Sequence, residues 1–299
     1  MPLATNPIDI NRGTTGLSLT PEQSREIWAS AIEQSAIMRL AQRVDLPGSG
    51  ITIPVITGDP VADWVSETAE KPVSESTFNT KDMTPYKLAV IELFSNEFRR
   101  DLPRLYRELV RRLPGSIAKK FDETVFHGTA PGTGFDVLTS AASVGIGGTG
   151  TYAKIVNAFT TVAATGGRVS GWAVSPQGEG ILLSAVDGNA RPLLINSINN
   201  DRAVGRLLGA DVIETGSVYK AGATSSDPNI VGFAGDWSQA RYGIVDGINL
   251  SISEEATINT GTAQVNLWQR NMFAVRVEAE VGFVYRNLAA FIKLTDSAS

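Results

Sequence analysis

Residues 95–126 read SNEFRRDLPRLYRELVRRLPGSIAKKFDETVF, and the rest of the chain is arranged around them. Apolar side chains recur at every third or fourth position, at Leu102, Leu105, Tyr106, Leu109, Leu113, Ile117, Phe121 and Val125. This spacing is the stripe of an amphipathic helix that buries one face. Asp101 is placed to cap the helix, and Pro103 falls in the first turn, where its missing N–H loses no hydrogen bond. The stripe keeps its phase across Pro114-Gly115, so the sequence predicts a kinked helix rather than a break.

The other face of this predicted helix is strongly basic. It carries eight bases, Arg99, Arg100, Arg104, Arg107, Arg111, Arg112, Lys119 and Lys120. Only Asp101 and Glu108 oppose them before residue 121. The helix would be about 35–40 Å long at 1.5 Å per residue. Because the formal net charge of the chain is −5, a long basic helix is expected to meet an acidic partner.

Composition excludes several classes of protein. The 299 residues are 42% apolar and 19% charged, which is typical of a soluble protein with an ample core. No apolar run approaches the roughly 20 residues that cross a bilayer, and the N-terminus lacks a signal peptide, so no membrane partner is expected. The absence of cysteine excludes disulfides, thiol nucleophiles and thiolate metal sites. The acidic balance argues against nucleic-acid binding over the whole surface.

The chain has a single histidine, His127, which follows the basic helix. The usual serine and cysteine hydrolases need a histidine base, and histidine-based metal sites generally need two or more histidines. A lone histidine at a helix end is most simply a residue that caps the helix or compensates its dipole. The sequence therefore predicts no catalytic residue and no metal site.

Residues 145–150 read GIGGTG and match the G-x-G-x-x-G pattern of dinucleotide-binding loops. That pattern requires a strand before it, a helix after it, and an acid about 20 residues further on. A helix is predicted over residues 152–164, but residues 140–143 form a poor strand. No Asp or Glu occurs between Asp136 and Glu179. We therefore expect a flexible loop and no cofactor.

Residues 58–82, called the finger below, are acidic and polar. They contain six acids and two bases, namely Asp59, Asp63, Glu67, Glu70, Glu75 and Asp82 against Lys71 and Lys81. Large apolar residues are interspersed, among them Trp64, Val65, Val73 and Phe78. The alternation on both sides of residues 70–72 predicts a long two-stranded hairpin. Because such a hairpin cannot bury its own apolar face, we expect it to lie on another subunit.

The remaining segments alternate between helix and strand signals. The sequence predicts an arm over residues 1–19, a helix that begins at Thr20-Pro21-Glu22-Gln23 and runs past Ser35 to Met38, and an edge strand over 44–56. A helix is predicted over 177–186. Strands are predicted over 88–94, 172–176, 207–214 with an interruption at Gly209, 229–236, several segments from Tyr242 onward, and 283–294. This order predicts an α+β fold.

Several short segments, taken in order, carry a resemblance to a known family. They are ADWVSE at 62–67, SNEFRRD at 95–101, FHGT at 126–129, GNARPL at 188–193, GFAGDWSQA at 232–240, RVEAEVGF at 276–283 and AAFIKL at 289–294. Their order resembles the major capsid protein family of tailed bacteriophages, whose fold is shared with encapsulins. The resemblance covers the chain from about residue 20 to residue 294.

The resemblance implies the phage major capsid fold in four parts. These are an N-terminal arm with the first helix (1–57), an extended loop (58–85), a peripheral domain with a long spine helix (86–134 and 241–282), and an axial α/β domain (135–240 and 283–299). It also implies a non-enzymatic structural protein that self-assembles into hexamers and pentamers. The resulting icosahedral shell would enclose double-stranded DNA, without sequence-specific binding and without a cofactor.

The same resemblance implies partners, a location and contact residues. Portal and scaffolding or cement proteins would join the shell, which would assemble in the host bacterial cytoplasm and remain in the virion. Inter-subunit contacts are expected from the finger at Asp63, Trp64, Glu67, Glu70, Lys71, Glu75 and Phe78. Their counterparts on the helix would be Arg99, Arg100, Arg104, Arg107, Arg111 and Arg112. One exposed ion pair contributes only about 0–1 kcal/mol, but repetition around a closed shell fixes the register.

Five alternatives stay open at the level of sequence. The fold could serve an encapsulin that holds cargo enzymes, or a soluble enzyme that uses Glu278 and Glu280 on one face of a strand. The basic face could be merely solvated, and some of its arginines could face DNA. Some relatives link their subunits by lysine–asparagine bonds, for which Lys71 or Lys81 and asparagines such as Asn266 and Asn271 are candidates.

Overall fold

The computed structural model of this protein describes residues 35–58, 60–67, 70–71, 73–96, 102–186, 205–224, 226–245, 249–261 and 263–297. The α-helices in these ranges are α1 (Ala36–Leu40), α2 (Leu102–His127), α3 (Thr151–Ala164) and α4 (Pro176–Leu183). The strands are β1 (Gln42–Asp45), β2 (Ile51–Gly58), β3 (Thr77–Met83), β4 (Tyr86–Ser95), β5 (Ala142–Gly145), β6 (Gly171–Val174), β7 (Arg206–Leu207), β8 (Ala210–Glu214), β9 (Ile230–Gly235), β10 (Ala240–Ile244), β11 (Asn249–Ser253), β12 (Thr257–Asn259), β13 (Gln264–Asn266), β14 (Met272–Tyr285) and β15 (Phe291–Thr295). The predicted mixture of helices and mostly non-sequential strands is confirmed.

A first sheet is built around the long strand β14. The strands β10 and β11 pair with β14 on one side, and β4 pairs with it on the other side. The β4–β14 ladder is antiparallel and runs from Met272 opposite Ser95 to Val281 opposite Tyr86. β1 completes the sheet by pairing in parallel with β10. Among the described strands, β4 pairs only with β14, so its other side is an edge of the sheet.

A second sheet has the strand order β5-β15-β9-β6-β8-β7. The short strand β6 is buried along its whole length, which is typical of a strand covered on both faces. Helices α3 and α4 contribute the apolar side chains of Ile155, Val162 and Leu182 to one face of this sheet. The predicted strand over 172–176 and the predicted helices over 152–164 and 177–186 are confirmed, within two or three residues at their ends.

Helix α2 joins the two sheets through a shared core. Its buried residues Ile117, Phe121 and Val125 are the last part of the predicted apolar stripe. The ring of Phe121 lies 6.5 Å from that of Phe283 on β14. The ring of Phe126 lies 5.0 Å from that of Phe233 on β9. The helix therefore packs against both sheets, and helix and sheets bury one continuous apolar cluster.

The long helix is one continuous element, as its sequence predicts. It runs from Leu102 to His127 and passes through Pro114-Gly115 without a break. The proposed cap at Asp101 lies outside the described residues. The preceding strand β4 extends to Ser95, so the helical part of the opening stretch begins at Leu102.

The region predicted as a single edge strand over 44–56 is two strands, and the prediction is wrong there. The first part lies in β1, which is an edge strand of the first sheet. A turn follows in which Gly50 N–H donates to Pro47 O at 2.9 Å, and Gly50 has a positive φ of 84°. The second part is β2, which pairs with β3. The turn at Pro47 separates the two strands because proline cannot donate to a ladder.

The predicted hairpin is present, but its boundaries differ from those predicted. β2 pairs with β3 from Ile51 opposite Met83 to Gly58 opposite Thr77. The hairpin therefore begins at Ile51 rather than at residue 58, and its register centres it on residue 67 rather than on residues 70–72. Residues 60–67, 70–71 and 73–76, called the tip below, have no regular strand pairing.

Four further predictions need correction. The interruption predicted at Gly209 is a hairpin turn in which Leu208 and Gly209 both have positive φ, as in type I′ turns. Phe283 belongs to the continuous strand β14, and the last strand begins only at Phe291. The segment before the glycine-rich loop does form a strand, β5. Ser35 has extended backbone angles and is the N-cap of α1, so no helix runs through it.

Candidate functional site

The base of the finger is fastened to the body of the subunit by Lys81. Its Nζ lies 2.5 Å from Asp136 Oδ2 and donates to Tyr285 O at 2.7 Å. The same ammonium lies 4.1 Å from the centre of the Tyr285 ring, a cation–π distance. Asp136 Oδ2 also accepts from Tyr285 N–H at 3.0 Å. These contacts fix the direction in which the hairpin leaves the end of β14.

Apolar packing supports the same base. The fully buried Met83 packs with Leu46 and Val284. A Cβ atom added at Gly282 would lie 2.9 Å from side-chain atoms of both Leu46 and Met83. Only glycine leaves room for this close approach. The hairpin is therefore rigidly rooted, although its tip extends away from the core.

The tip is exposed and combines apolar with acidic side chains. Trp64 has a relative exposure of 105%, which means that no part of its side chain is covered within the subunit. Among the described residues, five of the nine exposed large apolar side chains lie on the hairpin, at Val61, Trp64, Val65, Val73 and Phe78. The predicted contact residues Asp63, Glu67, Glu70, Lys71 and Glu75 are also exposed. Val61 N–H donates to Ser74 Oγ at 2.8 Å and holds the two limbs together.

The basic face of α2 is described in part. Arg112, Lys119 and Lys120 are exposed, and Lys119 lies 3.8 Å from Glu123 one turn further along the helix. The backbones of Arg104, Arg107 and Arg111 lie within α2, whereas Arg99 and Arg100 fall outside the described residues. In the described part of the chain, no ion pair joins a finger acid to a base of α2. Of the six predicted arginines, only the side chain of Arg112 is described, so the predicted pairing between the two sets stays a prediction.

A cleft of about 440 Å³ lies between the C-terminal half of α2 and β4. Leu88, Phe121 and Phe135 provide apolar walls. Lys87 and Lys120 line it from the strand side and the helix side. Lys87 Nζ lies 3.4 Å from Glu280 Oε1. Of these two lysines, the exposed Lys120 is therefore the one available to a partner subunit. The volume lies within the range of pockets that bind small ligands, and an aromatic side chain fits such a space.

A buried carboxyl on α2 was not predicted from the sequence. Asp122 is completely buried, and its oxygens accept from Ser35 Oγ at 2.6 Å, Ala36 N–H at 2.8 Å and Ile37 N–H at 3.3 Å. Burial raises the pKa of Asp122 to about 7, against the opposing effect of these hydrogen bonds. The spacing along the helix does indicate burial at this position, because Asp122 lies four residues after Ala118 and three before Val125, both of which are buried.

His127 has the structural environment expected of a residue at a helix end. Its Nε2 lies 3.0 Å from Ser217 O. Lys220 Nζ donates to His127 O at 3.1 Å and places a positive charge at the C-terminus of α2. Burial lowers the pKa of His127. The ring thus joins the helix end to the turn at 216–218.

Glu278 and Glu280 lie on one face of β14, as predicted, but cations accompany both. Lys87 Nζ lies 3.8 Å from Glu278 Oε2 and 3.4 Å from Glu280 Oε1. Arg276 Nε lies 3.4 Å from Glu278 Oε1. An acid–base pair for catalysis needs one carboxyl with a raised pKa, and this ion-paired ladder on a sheet surface is typical of a structural network.

The glycine-rich loop at 145–150 has a strand before it and a helix after it, but the chain's own C-terminal segment covers it. Gly147 N–H donates to Ser297 O at 2.9 Å. Lys154 Nζ donates to Gly147 O at 2.6 Å. A Cβ atom at Gly147 would collide with the backbone of Asp296. The glycine at this position is thus explained by close packing of two backbone segments.

The candidate cross-linking residues are placed differently from one another. Lys81 is engaged by Asp136, whereas Lys71 is exposed at the tip. The side-chain oxygen of Asn266 accepts from Gln269 N–H, and that of Asn271 accepts from Asn96 Nδ2. No lysine–asparagine pair is formed by these residues within the subunit.

The described residues include no group of three or more His, Cys, Asp or Glu side chains arranged to hold a metal ion. No helix within the described ranges combines the length and the hydrophobicity that are needed to span a membrane.

Comparison with known families and sequences gives consistent matches. Residues 15–296 match the model of the phage capsid family. The chain is 32% identical over 295 residues to the probable major capsid protein gp17 of Mycobacterium phage D29, covering 94% of this chain and 91% of that one. It is also 32% identical over 297 residues to the protein of the same name in Mycobacterium phage L5, covering 93% and 89%.

Solved structures agree with these matches. A structure from Gordonia phage Cozz is 26% identical and superposes with a TM-score of 0.71, covering 89% of this chain and 87% of that chain. The capsid of an empty GTA particle computed with C5 symmetry has a TM-score of 0.65 over 100% of this chain and 95% of that chain. Because the identity to the second structure is 14%, that likeness concerns the fold alone.

Proposed function

The chain belongs to the phage capsid family, and we propose that it is the major capsid protein of a tailed bacteriophage. In this proposal many copies assemble into hexamers and pentamers that form an icosahedral head around double-stranded DNA. The protein is a structural component of the virion and is not an enzyme. Portal and scaffolding or cement proteins would complete the particle, which would assemble in the host bacterial cytoplasm.

The observation that carries the proposal is the finger. Its base is held by the ion pair of Lys81 and Asp136 and by the buried Met83, whereas Trp64 is fully exposed and Phe78 is 69% exposed. Leaving large apolar groups in water forgoes about 1.5–3 kcal/mol for each one. A rigidly rooted projection with an exposed tryptophan is therefore suited to bury its apolar groups on a second copy.

The basic side of α2 is the surface proposed to receive the finger. The finger carries four predicted contact acids, Asp63, Glu67, Glu70 and Glu75, and the predicted contact arginines of α2 are Arg99, Arg100, Arg104, Arg107, Arg111 and Arg112. No described ion pair satisfies the finger acids within the subunit. The cleft beside Lys120 and Phe121 offers an apolar seat for Trp64 at the end of this basic face. Charge pairing would set the register, and the tryptophan would supply apolar burial.

The four-part division of the chain is part of the same proposal. The first sheet with α2 corresponds to the peripheral domain, and the second sheet with α3 and α4 corresponds to the axial domain that would meet its copies at the centre of each capsomer. The finger would extend from the peripheral domain to the neighbour. Packaged DNA would lie inside the shell, held without sequence-specific contacts.

The proposal is tested by the mass and content of the particles. The full chain, purified after expression in bacteria, should form closed shells of megadalton mass in electron micrographs and in sedimentation. A small, monodisperse oligomer at high concentration would contradict a shell function. Native particles that hold a protein cargo rather than DNA, and that lack a portal vertex, would instead assign the chain to an encapsulin-type compartment.

A further inference from the structure

Asp122 on α2 reaches across to the start of α1, the first segment of the chain that the structure describes. Its Oδ1 accepts from the hydroxyl of Ser35 at 2.6 Å, and its Oδ2 accepts from Ala36 N–H at 2.8 Å. Ser35 Oγ in turn accepts from Met38 N–H at 3.1 Å. Ser35 and Asp122 are both fully buried. A single carboxyl therefore satisfies the start of α1 and joins it to the long helix.

The charge of this carboxyl has no described cation to balance it. The next residue on the same helix, Glu123, adds a second negative charge nearby and is paired with Lys119. The one charged side chain of α1 is Arg39, in the last turn at the opposite end. The turns 138–140 and 216–218, which also pack on α2, contain no ionisable residue. On β14, Glu278 and Glu280 are paired with Lys87, and Arg276 with Glu278.

We propose that Asp122 is a proton-controlled latch that docks α1 against the long helix. When Asp122 is protonated, the carboxylic acid donates to Ser35 Oγ and its other oxygen still accepts from Ala36 N–H. When Asp122 loses its proton, the same site holds a buried negative charge. Undocking α1 lets water reach that charge, so the ionised form favours release.

The sign of the effect follows from linkage. Burial raises the pKa of the docked carboxyl from 3.8 to about 7, whereas a released carboxyl has its ordinary pKa. The docked state therefore binds more protons between these two values, and docking weakens as the pH rises through this range. The equilibrium constant for undocking should increase about tenfold per pH unit between pH 5 and pH 7 and level off above pH 7.

The latch acts on α1, which follows the arm predicted over residues 1–19 along the chain. Residues 1–19 are expected to order on a neighbour, and α1 is the first helix that the structure describes after them. A carboxyl that titrates near neutral pH lets a small change in pH alter how firmly this attachment point is held. The inference concerns the single subunit, so it stands or fails independently of shell formation.

Hydrogen exchange of the full-length chain tests the latch directly. The readout is the protection factor of the backbone amides of residues 36–41, corrected for intrinsic exchange at each pH from 5 to 8. We expect protection to fall about tenfold per pH unit up to pH 7 in the natural chain. Asp122→Asn should make it independent of pH, because its amide can donate to Ser35 Oγ while its oxygen accepts from Ala36 N–H.

Two controls make the result decisive. Glu123→Gln removes a neighbouring carboxyl on the same helix and should leave the pH dependence in place. The carboxyl carbon signal of Asp122 in the natural chain, labelled at aspartate, should titrate near pH 7, which gives a test even if a variant fails to fold. Protection of α1 that is constant with pH in the natural chain, or pH dependence that survives in Asp122→Asn, would overturn the proposal.

Discussion

The Nζ atom of Lys81 lies 2.5 Å from Asp136 Oδ2, and this contact ties the finger to a segment 55 positions further along the chain. Both side chains are less than a third exposed, at 30% and 21%. The same ammonium donates to Tyr285 O and lies over the Tyr285 ring. One lysine thus fixes the root of a hairpin whose tip has little support within its own subunit.

Replacing Lys81 should weaken this root. Lys81→Met removes the ion pair, the hydrogen bond and the cation–π contact, and it leaves Asp136 with only the Tyr285 amide as a donor. We expect the free energy of unfolding to fall by about 2 kcal/mol. The measurement is the denaturant midpoint of the unassembled chain. Lys71→Met, at the exposed tip, is the matched control and should leave the midpoint unchanged.

The cost of substituting a glycine in the glycine-rich loop should depend on how closely its backbone is packed, and not on a bound ligand. Gly147→Ala places a methyl group against the backbone of Asp296 and should destabilise the chain by about 1–3 kcal/mol. Gly180→Ala is the control, because Gly180 lies within α4 with open space around it. That change should be neutral or stabilising by up to about 1 kcal/mol. Equal effects of the two changes on the melting temperature would refute the packing explanation.

The single histidine should make stability depend on pH in a defined direction. Burial holds the pKa of His127 below its ordinary value of 6.5, so the unfolded chain binds the proton more readily. Stability should therefore be lost as the pH falls through and below 6.5. His127→Asn should remove this part of the dependence. The one histidine ring signal in the NMR spectrum of the unassembled chain reports its pKa directly, and a midpoint above 6.5 would contradict the burial argument.

Trp64 should matter for assembly and not for the stability of the subunit. Its side chain is fully exposed, so Trp64→Ala removes no contact within the chain and should leave the denaturant midpoint within about 0.5 kcal/mol. The yield of closed particles should fall sharply, because the tryptophan is proposed as the apolar anchor of the inter-subunit contact. Tyr152→Ala, at a half-exposed position on α3, is the comparison variant. A Trp64→Ala chain that assembles normally would exclude this role.

Local periodicity accounts for what could be predicted from the sequence. The apolar stripe through Ile117, Phe121 and Val125 is a repeat within one helix, and the alternation of the finger is a repeat within one hairpin. Both signals exist before any long-range contact forms. They were sufficient to place the long helix and the projecting hairpin, and to identify Trp64 as an unpartnered residue.

Long-range contacts account for what could not be predicted. The hydrogen bond from Ser35 to Asp122 joins residues 87 positions apart, and no local pattern marks such a pair. The turn at Leu208-Gly209 needs positive φ at a leucine, which runs against the usual preference. Strand β5 is short and weak in β-forming residues, and it is stabilised by pairing with β15. Asp122 and β5 therefore both depend on partners from a distant part of the chain.

The central claim is that the finger of one copy is completed by the long helix of another. Because the chain contains no cysteine, engineered thiols test this claim without background. Chains carrying Ser66→Cys, at an exposed position of the tip two residues from Trp64, are co-assembled with chains carrying Lys120→Cys or Arg112→Cys, and the particles are oxidised. Co-assembly with Tyr152→Cys is the control.

We expect a disulfide-linked pair made of one chain of each type from at least one of the two helix positions, and none from the Tyr152→Cys control. Intact particles in which neither helix position forms a bond to Ser66→Cys would contradict the account. So would a chain carrying both substitutions that closes the disulfide on itself, because the finger would then lie on its own subunit.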